Sequence, residues 1–248
     1  MIVMTVIEYL LDRISKGTLH VALLDPDKQS AEEAGELARQ RKEAGTDAIF
    51  IGGSTGVTNE NLSETSKAIK AASGLPTIHF PGSGNALSAD VDALLFMSML
   101  NSTDLTWVVG AQTLAAPYIK KLGIETIPMG YIIVEPGMKV GEVGKAKPIK
   151  HDEIDRAISY AVACELFGMS LVYLEAGSGA DTPVPPEMIS AVKAAINIPL
   201  IVGGGIRTPE AAEAARKAGA DIIVTGTLIE QCKDDSKLRA VVKASKGI

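Results

Sequence analysis

The amino-acid sequence predicts a single-domain TIM (β/α)8 barrel spanning residues 1–248, and three observations carry that expectation. Eight short apolar runs end in Gly, Pro or an acidic residue. Segments with helical spacing and helical punctuation alternate with them. The phrases "EAGTDAIFIGG" and "KAGADIIVTGT" repeat one unit, in which Gly45 or Gly219 stops a helix and a short link leads into a buried strand. Neither a linker nor a composition shift divides the chain. An open doubly wound sheet is the alternative arrangement for such alternation.

The elements follow in order. "MIVMTVIEYLLDRISKG" lacks a basic start and a cleavage site and carries Glu8, Asp12 and Arg13 inside its apolar run, so it reads as an extra N-terminal helix rather than a signal peptide. "LHVALLDP" (19–26) is the first strand, and Ser30 with Glu33 forms a capping box that opens the helix "AEEAGELARQRKEAG". "DAIFIGG" (47–53), "LPTIHFPG" (75–82) and "DALLFMSML" (92–100) are the next three strands. Only "SGNALSADV" separates the third from the fourth, which is too short for a full covering helix and leaves the third helix reduced. "TIPMGYIIVEPG" (126–137), "SLVYLEAG" (170–177), "IPLIVGGG" (198–205) and "DIIVTGT" (221–227) complete the eight, with long loops at 134–150 and 177–186. Thr208-Pro209 supplies an N-cap and a first-turn proline for the helix that Gly219 stops.

Composition narrows the function. Apolar residues make up 46% of the chain and aromatics only 4%, as expected of buried parallel strands filled by Ala, Val, Ile and Leu. A formal net charge of -6, with no block of Lys and Arg, argues against a nucleic-acid partner. Phosphate binding by backbone amides remains open. Cys164 and Cys232 have no second ligand at metal spacing and read as reduced core residues of a cytoplasmic protein. No apolar stretch is long enough to cross a bilayer.

In such a barrel the chemistry sits on the loops after the strands. Three glycines follow the seventh strand and Gly226-Thr227 follows the eighth, each near a helix start, which is the standard phosphate site of the class. Asp25 ends the first strand at the mouth of the barrel, and Ser54 and Thr55 follow the adjoining second strand. A carboxylate beside a hydroxyl makes an open Mg²⁺ site, because that ion keeps waters and takes substrate phosphate oxygens as ligands. On the sixth strand Tyr173 and Glu175 share the face toward the barrel interior, while Val172 and Leu174 face the helices. A Glu ending a buried strand is either satisfied by loop amides or is a general base with a raised pKa. His20 and His151 read as structural or solvated, and His79 as a residue near the mouth that can touch ligand. Lys139, Lys145, Lys147 and Lys150 form a solvated face or a mobile lid over an anionic substrate.

Taken together, "LLDPDK", "IFIGGSTG", "HFPGSGN", "YLEAGSGA", "IVGGGIRTPE" and "VTGT" resemble the geranylgeranylglyceryl phosphate synthases and their heptaprenyl relatives, in the right order across nearly the whole chain. The length, N-terminal helix and long fifth loop look like the larger archaeal branch. The resemblance implies that sn-glycerol 1-phosphate binds along Tyr173, Leu174, Glu175, Ala176, Gly177, Ser178 and Gly179, with Gly204, Gly205, Gly226 and Thr227 holding its phosphate. It implies that Asp25 and Ser54 hold Mg²⁺ against the diphosphate of a long prenyl donor such as geranylgeranyl diphosphate, and that Glu175 is the catalytic base. It further implies a homo-oligomer, peripheral membrane contact, and an apolar groove for the tail around "LLFMSMLNSTDLTWVV", with Trp107 lining or ending it. The rivals are a sugar-phosphate isomerase or synthase, an FMN-dependent oxidoreductase, and a barrel serving as a binding module.

Overall fold

The computed structural model describes residues 4–53, 56–82, 84–226 and 235–248. Eight parallel strands close into a barrel in sequence order: β1 (Leu19–Leu24), β2 (Ala48–Gly53), β3 (Thr77–Pro81), β4 (Ala93–Met99), β5 (Glu125–Ile133), β6 (Leu171–Glu175), β7 (Leu200–Gly203) and β8 (Ile222–Thr225). Closure is made by β8 pairing with β1, in the register Leu19 with Ile222 and Val21 with Val224. The open-sheet alternative is thereby excluded.

Helices α2 (Ala31–Ala44) and α3 (Asn59–Ser73) cover β1 to β3, and α4 (Ala111–Leu122) covers β4 after a π-helical turn over Thr106–Gly110. A short α5 (Met138–Val143) and then α6 (Ile154–Leu166) follow β5, α7 (Pro186–Ala195) follows β6, α8 (Pro209–Lys217) follows β7, and α9 (Asp235–Lys246) ends the chain. The punctuation works as the sequence predicts. Ser30 and Glu33 exchange side-chain-to-backbone bonds at the start of α2, Gly45 ends it in the left-handed region, and the Thr208 hydroxyl accepts from the Ala211 N–H at the start of α8.

Alternation along each strand sorts the core into two layers. Val21, Phe50, Ile78, Leu95, Tyr131, Tyr173 and Ile201 fill the barrel, while Ala22 and Ile49 pack outward on one side and Val172, Leu174 and Val202 on another. The N-terminal helix α1 (Val6–Ile14) plugs the lower end, inserting Val6 and Leu10 into the interior cluster. Burying each such side chain contributes about 1.5–3 kcal/mol. The Glu125 carboxylate, at the start of β5, accepts from the Val6 and Ile7 N–H groups and fixes the plug.

Between β3 and β4 the reduction is complete: the described residues form turns and no helix. Ala86 and Val91 close the outer core there, and Ser66 on α3 reaches across to the Asp90 carbonyl. The wall of the barrel is therefore thinner beside β4, where Leu94 and Phe96 face outward toward α4.

Candidate active site

Glu175 is the last residue of β6 and only 6% exposed. Its Oε1 accepts from the Gly177 N–H at 2.7 Å, and its Oε2 accepts from the Tyr131 hydroxyl at 3.1 Å. The Tyr173 hydroxyl also favours the ionised carboxylate. All these partners are neutral donors. Burial raises the Glu175 pKa above the usual carboxylate value, and the donors from Gly177, Tyr173 and Tyr131 oppose that shift. Both tyrosines are in turn held well above their ordinary pKa, by burial first and by the Glu175 charge second, so they stay protonated as donors. The strand register explains the meeting: Tyr131 pairs with Tyr173 and Ile133 with Glu175 across β5 and β6. Tyr131 and Tyr173 pack edge to face at 5.1 Å, and Phe80 stacks on Tyr173 at 5.8 Å, so the scarce aromatics form a rigid floor beneath the carboxylate.

The glycines after β7 make this arrangement possible. A Cβ on Gly203 would stand 2.0 Å from the Tyr173 hydroxyl, and one on Gly204 would stand 2.5 Å from Glu175 Oε1. The stretch therefore seats the acid and its donor as well as bringing backbone close to a ligand. A polar recess of about 410 Å³ results, walled by Tyr173, Glu175, Ser178, Gly179, Gly204, Gly205, Arg207 and Gly226. Gly177 contributes its N–H to Glu175. Within the contiguous stretch expected from the sequence, Leu174 and Ala176 turn their side chains away from the recess. Their side chains are fully buried in the cluster between strands and helices, because alternate residues of a strand face opposite ways. The Ala176 backbone instead ties the loops together, its N–H donating to Gly203 O and its carbonyl accepting from the Gly137 N–H. Thr227 and Ser54, with Thr55 and Cys232, lie outside the described residues.

Above the recess opens a larger cavity of about 1270 Å³, the mouth of the barrel. Asp25, Asp27, Lys28 and Lys139 line it, and Glu175 and Ser178 are walls of both this cavity and the recess. Burial raises the Asp25 pKa, while its ion pair with Lys28 works the other way. Asp27 also turns toward Gly53 and lines the mouth. On the other side the mouth shares Pro81, Met97, Met99 and Trp107 with an apolar cavity of about 550 Å³. Leu87, Leu94, Phe96, Ala115 and Ile119 complete that cavity, which runs over β4 beside the missing helix. Polar recess, carboxylate, mouth and apolar cavity thus adjoin along one path, and Trp107 lines both the mouth and the apolar cavity.

Other expectations resolve differently. His79 faces outward from β3, and burial lowers its pKa to about 4; its Nδ1 has no hydrogen-bond partner and the side chain lines none of these cavities. His20 bridges Thr46 and Thr225 and His151 meets the Glu135 carbonyl, both structural. Of the lysines in the fifth loop, Lys139 lines the mouth and Lys145 pairs with Asp104 at 2.7 Å. That loop is fastened to the β4–α4 connection by Ser102 on Gly144 O, by Asn101 on Lys147 O and by the Thr103 N–H on Lys145 O. In this conformation the loop forms a hydrogen-bonded rim of the mouth. Two site residues were not expected from the sequence. Tyr131 lay in a strand whose alternation signals it, but only the register places it on Glu175. Arg207 stood beside the glycines and directs its guanidinium to the Gly179 carbonyl.

Fold and site together define a (β/α)8-barrel protein whose cavity joins a glycine-walled polar recess to an apolar groove at the buried carboxylate of Glu175. The sequence pattern of the PcrB family matches residues 12–245, and the chain belongs to that family. It is 55% identical over 231 residues to the geranylgeranylglyceryl phosphate synthase of Thermococcus kodakarensis, covering 93% of this chain and 92% of the relative. The enzyme of the same name from Methanosphaera stadtmanae is 51% identical over 234 residues, covering 94% and 96%. Among solved structures, (S)-3-O-geranylgeranylglyceryl phosphate synthase from Thermoplasma acidophilum, in complex with its substrate sn-glycerol-1-phosphate, superposes with a TM-score of 0.96 at 45% identity, covering 99% of this chain and 100% of the other.

Proposed function

We propose that this chain is a prenyltransferase that joins the C3 hydroxyl of sn-glycerol 1-phosphate to a long prenyl diphosphate, with geranylgeranyl diphosphate as donor, releasing geranylgeranylglyceryl phosphate and diphosphate. One observation carries the reading: Glu175 and Ser178 wall both the polar recess and the mouth that leads to the apolar cavity. A small polar substrate in the recess and the head of a long apolar one in the mouth would meet at that carboxylate.

The chain's residues then divide the work. The backbone of Gly204, Gly205 and Gly226 offers amides to the phosphate, and Ser178 and Gly179 close the recess over the glycerol. Glu175, its acidity weakened by burial, accepts the proton of the C3 hydroxyl. The hydroxyl oxygen forms a bond to C1 of the donor as the C1–O bond to diphosphate breaks, and the diphosphate leaves with the electron pair. Tyr131 and Tyr173 hold the carboxylate in place without a cation that would quench its basicity. Met97, Met99 and Trp107 guide the tail toward Leu94 and Ile119 and exclude water from C1.

The mouth suits Mg²⁺. Asp25 and Asp27 both bring carboxylate oxygens close to Gly53, a hard oxygen set of the size that ion uses alongside substrate phosphates and water. Asp25, with Ser54 as second protein ligand, would hold it. When bound, the ion supplies neutralisation of the leaving diphosphate. Assembly as a homo-oligomer, cytoplasmic location and peripheral contact with a membrane belong to the same reading. Among the described residues no helix is long and apolar enough to cross a bilayer.

The test is incubation with sn-glycerol 1-phosphate, Mg²⁺ and prenyl diphosphates of several lengths, with the ether product identified by mass. Product is expected with long donors; none with any donor would overturn the reading. Asp25→Asn is expected to shift the Mg²⁺ titration to higher concentration, and an unchanged titration would remove Asp25 from the metal site.

A further inference from the structure

We infer that Arg207 is a positioning residue that selects the doubly charged phosphate end of the substrate, and the inference rests on the prenyl-transfer reading of the site. Among the described residues that line the polar recess, Arg207 is the sole cation, while Glu175 adds a carboxylate to the same lining. An anionic ligand entering a recess with a buried carboxylate needs compensation, and backbone amides provide only partial charges. Arg207 follows the Gly204–Gly205 turn and Ile206, and its Nη2 donates to the carbonyl of Gly179, itself a wall of the recess. Its Nη1 lies 3.4 Å from Asp181, whose side chain is 97% exposed.

The balance of these contacts matters. A carbonyl orients the guanidinium without neutralising it, and an ion pair to so exposed a carboxylate is screened by water. Net positive charge therefore remains at the rim. The same contact bolts the β6–α7 loop across the β7–α8 loop, where a Cβ on Gly205 would lie 2.8 Å from Pro183 N. Arg207 thus fixes the Ser178–Gly179 turn at the height of the substrate's polar end and biases the recess toward dianions. Nothing in this role touches the transferred proton, which belongs to Glu175 on the proposed reaction.

Calorimetry on the 248-residue chain separates this role from a purely structural one. Binding of sn-glycerol 1-phosphate and of inorganic phosphate is measured for the wild type, Arg207→Gln, Arg207→Lys and Asp181→Asn, together with KM and kcat. Arg207→Gln is expected to weaken both ligands by roughly 10- to 100-fold, the size of a lost charge-assisted hydrogen bond. KM for glycerol phosphate should rise in step, with kcat falling far less. Its binding should also lose much of the salt dependence seen in the wild type. Arg207→Lys should recover part of the affinity, and Asp181→Asn should bind at least as tightly as wild type. Unchanged affinity for both ligands in Arg207→Gln would overturn the assignment, as would a fall in kcat and thermal stability with no change in KM. Phosphate binding that depends on Arg207, in a protein that forms no ether product, would leave Arg207 standing and sink the prenyltransferase reading instead.

Discussion

Two acids, one at each end of the barrel, are buried to nearly the same degree and serve opposite ends. Asp47, 1% exposed at the lower end, accepts from Arg13 at 2.7 Å, from Lys246 at 2.8 Å and from the His20 N–H at 3.0 Å. It ties α1, β1, β2 and α9 into one unit. Glu175, 6% exposed at the upper end, meets two hydroxyls and an amide and, among the described residues, no cation. Cationic partners make a buried carboxylate a fixed strut, whereas neutral donors leave it ionisable, basic and able to take a proton. The lower face of this barrel holds a carboxylate locked by cations, and on the proposed reaction the upper face carries the chemistry, as the general rule for the fold has it.

The sharpest way to break the comparison is to neutralise each acid in turn. Glu175→Gln is expected to lower turnover by roughly 10²- to 10⁴-fold, the range of a lost general base. It should leave the urea midpoint unchanged or raised. The sign follows from linkage: a carboxyl whose native pKa lies above its unfolded value takes up more protons when folded, so its stability contribution is lost as pH rises through that window. At neutral pH the charged Glu175 is therefore a cost that Gln removes. A turnover near wild type would return Glu175 to the struts. Asp47→Asn should do the reverse, lowering stability by about 3 kcal/mol as a broken buried pair does, with kcat per folded molecule unaltered. A loss of kcat without loss of stability would erase the division between the two faces.

A smaller effect sharpens the picture. Tyr131→Phe removes one donor to the Glu175 carboxylate and should cost about tenfold in rate. More telling is the pH profile. Because the base must be ionised and burial already raises its pKa, the rate should fall on the acid side at a pH above the ordinary Glu value of 4.5. Losing Tyr131 should move that limb further up. An acid limb that stays in place would mean Tyr131 supports the floor of the site without tuning its base.

Much of this was legible before any coordinates. Eight apolar runs, capped helices and repeated glycine stops dictate the barrel because each signal is local: the capping box at Ser30 and the left-handed Gly45 need no distant partner. Period-two alternation likewise put Tyr173 and Glu175 on the inner face. What escaped was non-local. Tyr131 reaches Glu175 only through the β5–β6 register, and Arg207 reaches Gly179 only because two loops fold together. Within residues 173–179 the same alternation turns the side chains of Leu174 and Ala176 away from the recess. The glycines after β7 were visible, but that Gly203 and Gly204 make space for Tyr173 and Glu175 became evident only from their contacts.

The stretch between β3 and β4, where a helix would otherwise stand, gives the molecule a side door. A central pore of fixed width would force a long chain to coil above the mouth. Here the apolar path leaves through the flank, between Leu87 and the α4 residues Ala115 and Ile119. The length of the guest is thereby decoupled from the diameter of the host. On the proposed reaction, a change of donor calls for alterations along that seam and leaves the recess around Glu175 as it is.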